Sequence, residues 1–304
     1  MGRIHSAAKR FLVGAVLRQG CRRCLLLLVW AWLSAFIVTA ARAEIYSPLV
    51  PPRQNWSFSG IFGIYDKAQL QRGLKVFTET CHSCHSLNYV AFRDLQALGY
   101  SKPEIKEFAA RFRYKSLNYR GEEVERPGTA QDYFLPPYAN AAQAAFANNG
   151  AAPPDLSLIA RARAVSRPFS FITDVVTHYD TGGADYIYAL LTGYQNPPPN
   201  ITIAEGQYYN PYFMAGNSLA MPPLLQDGLI AYNDGTKQTA AQYAKDVTAF
   251  LSWAADPQRE KREKTGFAIG VFLLVLAALL YGLKREIWAK APKSQTGRKK
   301  QPEE

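Results

Sequence analysis

A chain of 304 residues with 48% hydrophobic and 19% charged residues has enough apolar content to build a core, which excludes disorder throughout. Its formal charge of +11 would suit nucleic acid, but residues 1–43 hold seven Lys/Arg and no acid, residues 259–265 four against two, and residues 284–304 seven against three. Residues 44–258 hold 17 Lys/Arg against 19 Asp/Glu, which excludes the basic footprint of a nucleic-acid binder and suits a basic protein partner, through steering more than affinity.

Residues 1–43 set a basic start before the apolar run "LLLLVWAWLSAFIVTA" and the small residues Ala41 and Ala43, the pattern of an export signal cleaved before Glu44. The run has 16 residues, short of the ~20 a membrane span needs. Cys21 and Cys24 would leave with it. Cys81 and Cys84 then remain in an oxidising compartment, where two exposed thiols three residues apart do not stay idle.

The mature domain, residues 44–258, is expected to open with a helix from Asp66 to Cys81, where Leu70, Leu74 and Phe77 recur at helical spacing. That helix runs into "CHSCH", residues 81–85, for which three chemistries compete. A thioredoxin-like dithiol wants a strand before the motif and a helix opening after it, whereas a helix precedes it here. A zinc site wants four ligands, and only His82 and His178 remain to complete one. C-x-x-C-H is also the attachment pattern of c-type haem: two thiols on a turn add to the two vinyl groups, and His85 then lies beneath the iron as proximal ligand. The haem reading fits best, and the single motif in the mature chain implies one covalent haem c with its iron. His82 is expected to point to solvent.

After the apolar stretch "SLNYVAFRDLQAL", the string "SKPEIKEFAARFRY" reads as a helix opened by a Ser101–Glu104 capping box. Two long segments rich in Pro, Asn, Gly and Tyr follow, "LPPYANAAQAAFANNGAAPPDLS" and "TGYQNPPPNITIAEGQYYNPYF". Few strands are expected there. Such loops would wrap the haem edge and restrict water, which raises the reduction potential. The sequon at Asn200 is given no weight. In "PPDLSLIARAR", Arg161 and Arg163 each offer a bidentate partner for a haem propionate, or equally a solvated helix face.

The sixth iron position decides the chemistry: open for catalysis, a second His for a low potential, a Met for a high one. The mature chain offers Met214, Met221, His82 and His178. Met221 has the best claim, because Pro222 and Pro223 hold "GNSLAMPPLL" in a rigid extended form. Met214, flanked by aromatics, suits packing, and His178 suits the surface. The last helix of the domain, "TAAQYAKDVTAFLSWAAD", carries a Thr239–Gln242 capping box and an apolar face of Tyr243, Val247, Phe250, Leu251 and Ala254.

Residues 259–265 form a charged juxtamembrane linker, and residues 266–283, "GFAIGVFLLVLAALLYGL", give 18 residues without a charge, enough for one transmembrane helix. The basic excess of the tail, residues 284–304, makes that tail cytoplasmic and everything between Glu44 and the span external, with Tyr281 and Trp288 at the inner interface. A single-pass protein of the inner membrane results, its body in the periplasm.

The strings "CHSCHS", "PPDLSLIARAR", "LLTGYQNPPP", "EGQYYNPYF", "AMPPLL" and "YAKDVTAFLSWAADPQ", followed by the span, resemble the cytochrome c1 family in this order over essentially the whole mature chain, and the signal suggests a bacterial member. The resemblance implies a mainly α, class I cytochrome c-like haem domain with long loops and one C-terminal transmembrane helix. It further implies a one-electron carrier of ubiquinol:cytochrome c oxidoreductase, not catalytic alone. Electrons would come from a Rieske iron–sulfur protein beside cytochrome b and go to a soluble c-type cytochrome. Carried over, Cys81 and Cys84 would hold the haem, His85 and Met221 would ligate iron, and Arg161 or Arg163 would meet a propionate. The segment "AVSRPFSFITDVVTHYDT", residues 164–181, departs from the family pattern, so His178 has no counterpart there. Rivals are a c-type subunit of another assembly such as a terminal oxidase, a haem peroxidase with an open sixth position, and a disulfide oxidoreductase using Cys81 and Cys84.

Overall fold

Asp66 starts the first helix: its carboxylate accepts from the N–H groups of Ala68 and Gln69 at 3.0 and 3.4 Å, and α1 follows over Lys67–Glu79. The computed structural model describes residues 48–60, 62–163, 174, 179–199 and 201–289. The export signal, most of the 164–181 segment with His178, the sequon at Asn200 and the chain beyond Ala289 lie outside the described residues. As predicted, α1 buries Leu70, Leu74 and Phe77. It stops at Glu79, short of the cysteines, because Thr80 leaves helical geometry at φ −124° and a single 3-10 turn takes over at Cys81–Ser83.

A longer 3-10 helix, Phe92–Leu98, forms in the apolar stretch that follows, and Gly99 ends it with φ of 100°, a value that favours glycine. Helix α2, Lys102–Ala110, has the predicted reciprocal box: Glu104 accepts from the Ser101 N–H at 2.7 Å, and Ser101 Oγ from the Glu104 N–H at 3.4 Å. The helix ends before "RFRY". Arg113–Leu117 is instead strand β1, antiparallel to β2 at Glu123–Pro127 with Arg113 opposite Pro127. Its side chains alternate between exposed and half-buried, a period of two that a helix cannot serve.

The short helix α3 (Ala141–Ala147) punctuates the first long loop, α4 (Ile159–Ala162) follows it, and α5 spans Gly182–Thr192. In the second loop, β3 (Tyr208–Tyr209) pairs with β4 (Ser218–Leu219), which lies just past that loop. Helix α6, Ala240–Ala255, is the axis of the domain, and α1, α4 and α5 all pack on it. Gly73 lets α1 come close: a Cβ there would lie 2.1 Å from the Asp246 carbonyl oxygen. Phe77 and Phe250 meet across the seam with ring centroids 5.7 Å apart.

The predicted apolar face of α6 is buried, but burial extends around most of the helix, to Asp246 and Thr248 as well. Its capping box is half made. Thr239 Oγ1 accepts from the Gln242 N–H at 3.3 Å, while the Gln242 amide turns away to donate to Asp246 at 2.8 Å. Asp246 is fully buried and also accepts from Gln69, Arg72 and Tyr232 at 3.2, 3.0 and 2.9 Å. That four-donor shell is what a buried carboxylate needs.

The last helix, α7, runs unbroken over Arg259–Ala289. Residues 259–265, expected as a linker, are its first two turns, and none of its most apolar stretch is buried by the protein. Those first turns are bound to the domain. Arg259 pairs with Asp180 at 2.5 Å, Glu260 accepts from the Tyr65 N–H at 2.8 Å, and Arg262 forks onto Asp256 at 2.6 and 2.5 Å. The architecture is mainly α with long loops and one apolar C-terminal helix, as the sequence predicted.

Candidate functional site

Where α1 ends, the chain tightens so that the N–H groups of Cys84 and His85 both point at the Cys81 carbonyl, at 3.1 and 2.9 Å. Cys81, Cys84 and His85 are thereby wound into one turn. Neither cysteine is in a disulfide, and Cys81 packs against the hydrophobic core. Burial, then the neighbouring Cys84, push the Cys81 thiol up to about 12. The thiol also follows a helix C-terminus, whose dipole disfavours an anion. A nucleophilic dithiol needs a stabilised thiolate, and at Cys81 burial works against one. Among the described residues, no group of three or more His, Cys, Asp or Glu side chains could hold a metal ion.

His85 is oriented from a distant part of the chain. Its Nδ1 lies 2.8 Å from the Pro154 carbonyl oxygen, an obligate acceptor, so Nδ1 carries the proton and Nε2 keeps its lone pair. Burial lowers the His85 pKa, against the Pro154 bond and the charge of Asp155, and favours the neutral ring that can ligate a metal. Asp155 fixes the carbonyl that fixes the ring. One of its oxygens accepts from Ser86 Oγ and the Asn88 N–H, both at 2.8 Å, and the other from the Ser157 N–H at 2.9 Å. The Leu156 N–H adds a bond to the Ser86 carbonyl at 2.9 Å, and Tyr89 N–H one to Ser157 Oγ at 3.0 Å. Segments 85–89 and 154–157 are stapled together beside the imidazole.

His82 does not face solvent as predicted. Its ring lies against Phe77, Phe112 and Phe134 with centroids 5.4, 5.9 and 5.9 Å away, and Nδ1 is 3.3 Å from the His85 carbonyl. The aromatic cluster around Phe134 draws it in, a tertiary effect invisible to local patterning.

The two methionines differ in surroundings. Met214 packs against the core, and its N–H reaches the Tyr186 hydroxyl at 3.5 Å. Met221, half-buried, lies just past β4 and has its carbonyl held by the Tyr194 hydroxyl at 2.9 Å. Burial raises the Tyr194 pKa, so that phenol stays a donor. Arg161 pairs with Asp256 at 2.5 Å, beside Arg262. Arg163 stands just after α4, in extended backbone, and its charge acts on the Tyr186 phenol that receives Met214.

The structure therefore joins Cys81, Cys84 and His85 in one turn and holds Met221 by a separate set of contacts. Pro154, Asp155, Ser86 and Tyr194 were not singled out in sequence. The string "PPDLS" shows an Asp two residues before a Ser, an Asx-turn signal, but not the partner 69 residues away. The donor set, two free thiols and an imidazole with a bare Nε2, fits a covalently attached haem.

The model of the Cytochrome C1 family matches residues 56–291. Cytochrome b/c1 of Bradyrhizobium diazoefficiens is 48% identical over 245 residues, 79% of this chain but 36% of that protein, so the chain spans about a third of that relative. Cytochrome c1 of Blastochloris viridis is 43% identical over 249 residues, 80% of this chain and 88% of the relative. Cytochrome c1 of Rhodospirillum rubrum is 43% identical over 253 residues, 78% of this chain and 86% of the relative.

Proposed function

The chain belongs to the cytochrome c1 family of electron-transport haem proteins, and on that premise we propose that it carries one haem c, bonded to Cys81 and Cys84, with His85 and Met221 as axial ligands. When bound, that group supplies a one-electron iron couple whose potential a Met ligand raises. The observation that carries the reading is the His85 Nδ1 bond to the Pro154 carbonyl at 2.8 Å, within a turn that also holds both thiols. It sets the tautomer and the ring plane a metal-ligating imidazole needs.

The other residues prepare the site. Asp155 immobilises the Pro154 carbonyl, and Tyr194 with β4 holds Met221. Arg163 is better placed than Arg161 for a propionate, because Arg161 is already paired with Asp256. On this reading the long loops would limit water at the haem edge. No substrate pocket is required for outer-sphere transfer, and the subunit is not catalytic alone.

Electrons enter from a Rieske iron–sulfur protein and leave to a soluble, basic c-type cytochrome, an acceptor suited to the acidic balance of residues 44–258. Assembly with cytochrome b is supported by the Bradyrhizobium relative, whose name joins b and c1 in one chain. Helix α7 anchors the protein once in the inner membrane through residues 266–283, with the signal removed before Glu44, the haem domain periplasmic and the tail cytoplasmic.

The test is a redox-resolved optical spectrum of the protein, purified in detergent through a tag on its tail, before and after adding a quinol. Co-purifying b-type haem together with a c-type haem reduced by quinol is the expected result. Covalent c-type haem that ignores quinol, in a preparation that preserves the complex, would move the chain to another electron-transfer assembly.

A further inference from the structure

The segment before α1 makes a tight turn with two kinds of side chain. Its backbone is closed by Ser59 N–H to the Trp56 carbonyl at 3.1 Å, Gly63 N–H to Gly60 at 3.1 Å and Ile64 N–H to Ser57 at 3.0 Å. Gly63 admits no side chain, since a Cβ would lie 2.3 Å from the Phe58 carbonyl. Trp56, Phe58 and Tyr65 are buried in the domain core, while Phe62 and Ile64 are 75% and 55% exposed. Apolar residues exposed singly need no explanation. These two stand beside a membrane-length helix.

The Phe62 ring meets the Phe267 ring edge-on at 5.5 Å, and the Tyr65 N–H donates to Glu260 at 2.8 Å. Glu260 and Phe267 are seven residues apart on one face of α7, about two turns or ~10 Å along its axis. The turn thus runs alongside the helix where its charged start gives way to its apolar run. That run of 18 residues is about 27 Å long, against a hydrocarbon core of ~30 Å, so it has little room to slide. Phe267, its second residue, is pinned near the boundary, and Phe62 shares its depth. Lys261 and Lys264, exposed on the adjacent helix turns, suit lipid phosphates.

We propose that the turn carrying residues 57–60 and 62–65 is a second membrane contact, seating Phe62 and Ile64 in the headgroup–acyl boundary of the bilayer beside the span. The inference rests on the reading of residues 266–283 as a span. Aromatic and aliphatic side chains at that depth bury their area in lipid while the domain above stays in water.

The test places a nitroxide on Phe62→Cys and, separately, Ile64→Cys, in the full chain purified with its associated subunits and reconstituted in phosphatidylcholine–phosphatidylglycerol vesicles. Labels at Phe272→Cys and Leu274→Cys, on opposite faces of α7, report the span, and one at Tyr119→Cys, 89% exposed on the β1–β2 hairpin, reports water. Power saturation compares collision with oxygen, which dissolves in lipid, and with a water-soluble nickel chelate. Positions 62 and 64 should favour oxygen several-fold over position 119 and match the boundary side of positions 272 and 274. Nickel access at both 272 and 274 would defeat the span and this inference with it. Oxygen-favoured span labels with nickel-favoured labels at 62 and 64 would overturn the turn's role alone. Labels at 62 and 64 that are immobilised and shielded from both relaxants would assign the surface to a neighbouring subunit and overturn it too.

Discussion

The two sides of the candidate site are built to different standards. On the His85 side, segments 85–89 and 154–157 share six hydrogen bonds counting the imidazole's own and the one within the Asx turn, all between 2.8 and 3.0 Å. On the Met221 side, a two-residue sheet and one tyrosine hydroxyl hold the chain just before and at the methionine. On the proposed reading, His85 is positioned by a network and Met221 by chain stiffness, from Pro222 and Pro223, with little cross-bonding among the described residues.

Substitutions on each side test that contrast. Replacing both cysteines, Cys81→Ala with Cys84→Ala, should abolish covalent haem altogether, read as loss of haem-dependent peroxidase staining after denaturing electrophoresis. Met221→Leu should keep the stain but lower the potential, on the order of 0.2 V out of the ~0.8 V that axial ligands command; Met214→Leu, in the packed position, should leave it nearly unchanged. A redox titration of the two variants decides between them.

Asp155→Ala strips three accepted hydrogen bonds from the staple and should lower unfolding stability by about 1–3 kcal/mol, through the donors left without a partner. Its denaturant midpoint should fall with the potential moving less than in Met221→Leu. Tyr194→Phe removes a single bond to the Met221 carbonyl and should cost about 1 kcal/mol, with a small shift in potential. A larger potential change in Asp155→Ala than in Met221→Leu would reverse the assignment of the two sides.

Legibility in the sequence follows the range of the interaction. The apolar face of α1 and the Ser101 box are local patterns, and the structure has both. The boundary at "RFRY" was missed because an alternating strand and a helix end share the same residues over so short a run. Local patterning leaves His82 at the surface, because no local rule reports Phe112 and Phe134. Gln242 looked like half of a capping box, but the buried Asp246 carboxylate competes for its amide and wins. Pro154 was passed over because its role is a carbonyl oxygen, which any residue carries; what matters is where Asp155 pins it. The family resemblance reached Met221 by motif, whereas the Tyr194 bond that steadies it spans 27 residues of loop.

The unbroken course of α7 has a mechanical consequence. A helix of 31 residues is a strut about 46 Å long with no hinge between head and stalk, and its first two turns are bolted to the domain by Arg259, Glu260 and Arg262. A domain mounted this way is held in one orientation to its helix. On the proposed reading it is a fixed platform, and the reach between donor and acceptor falls to them.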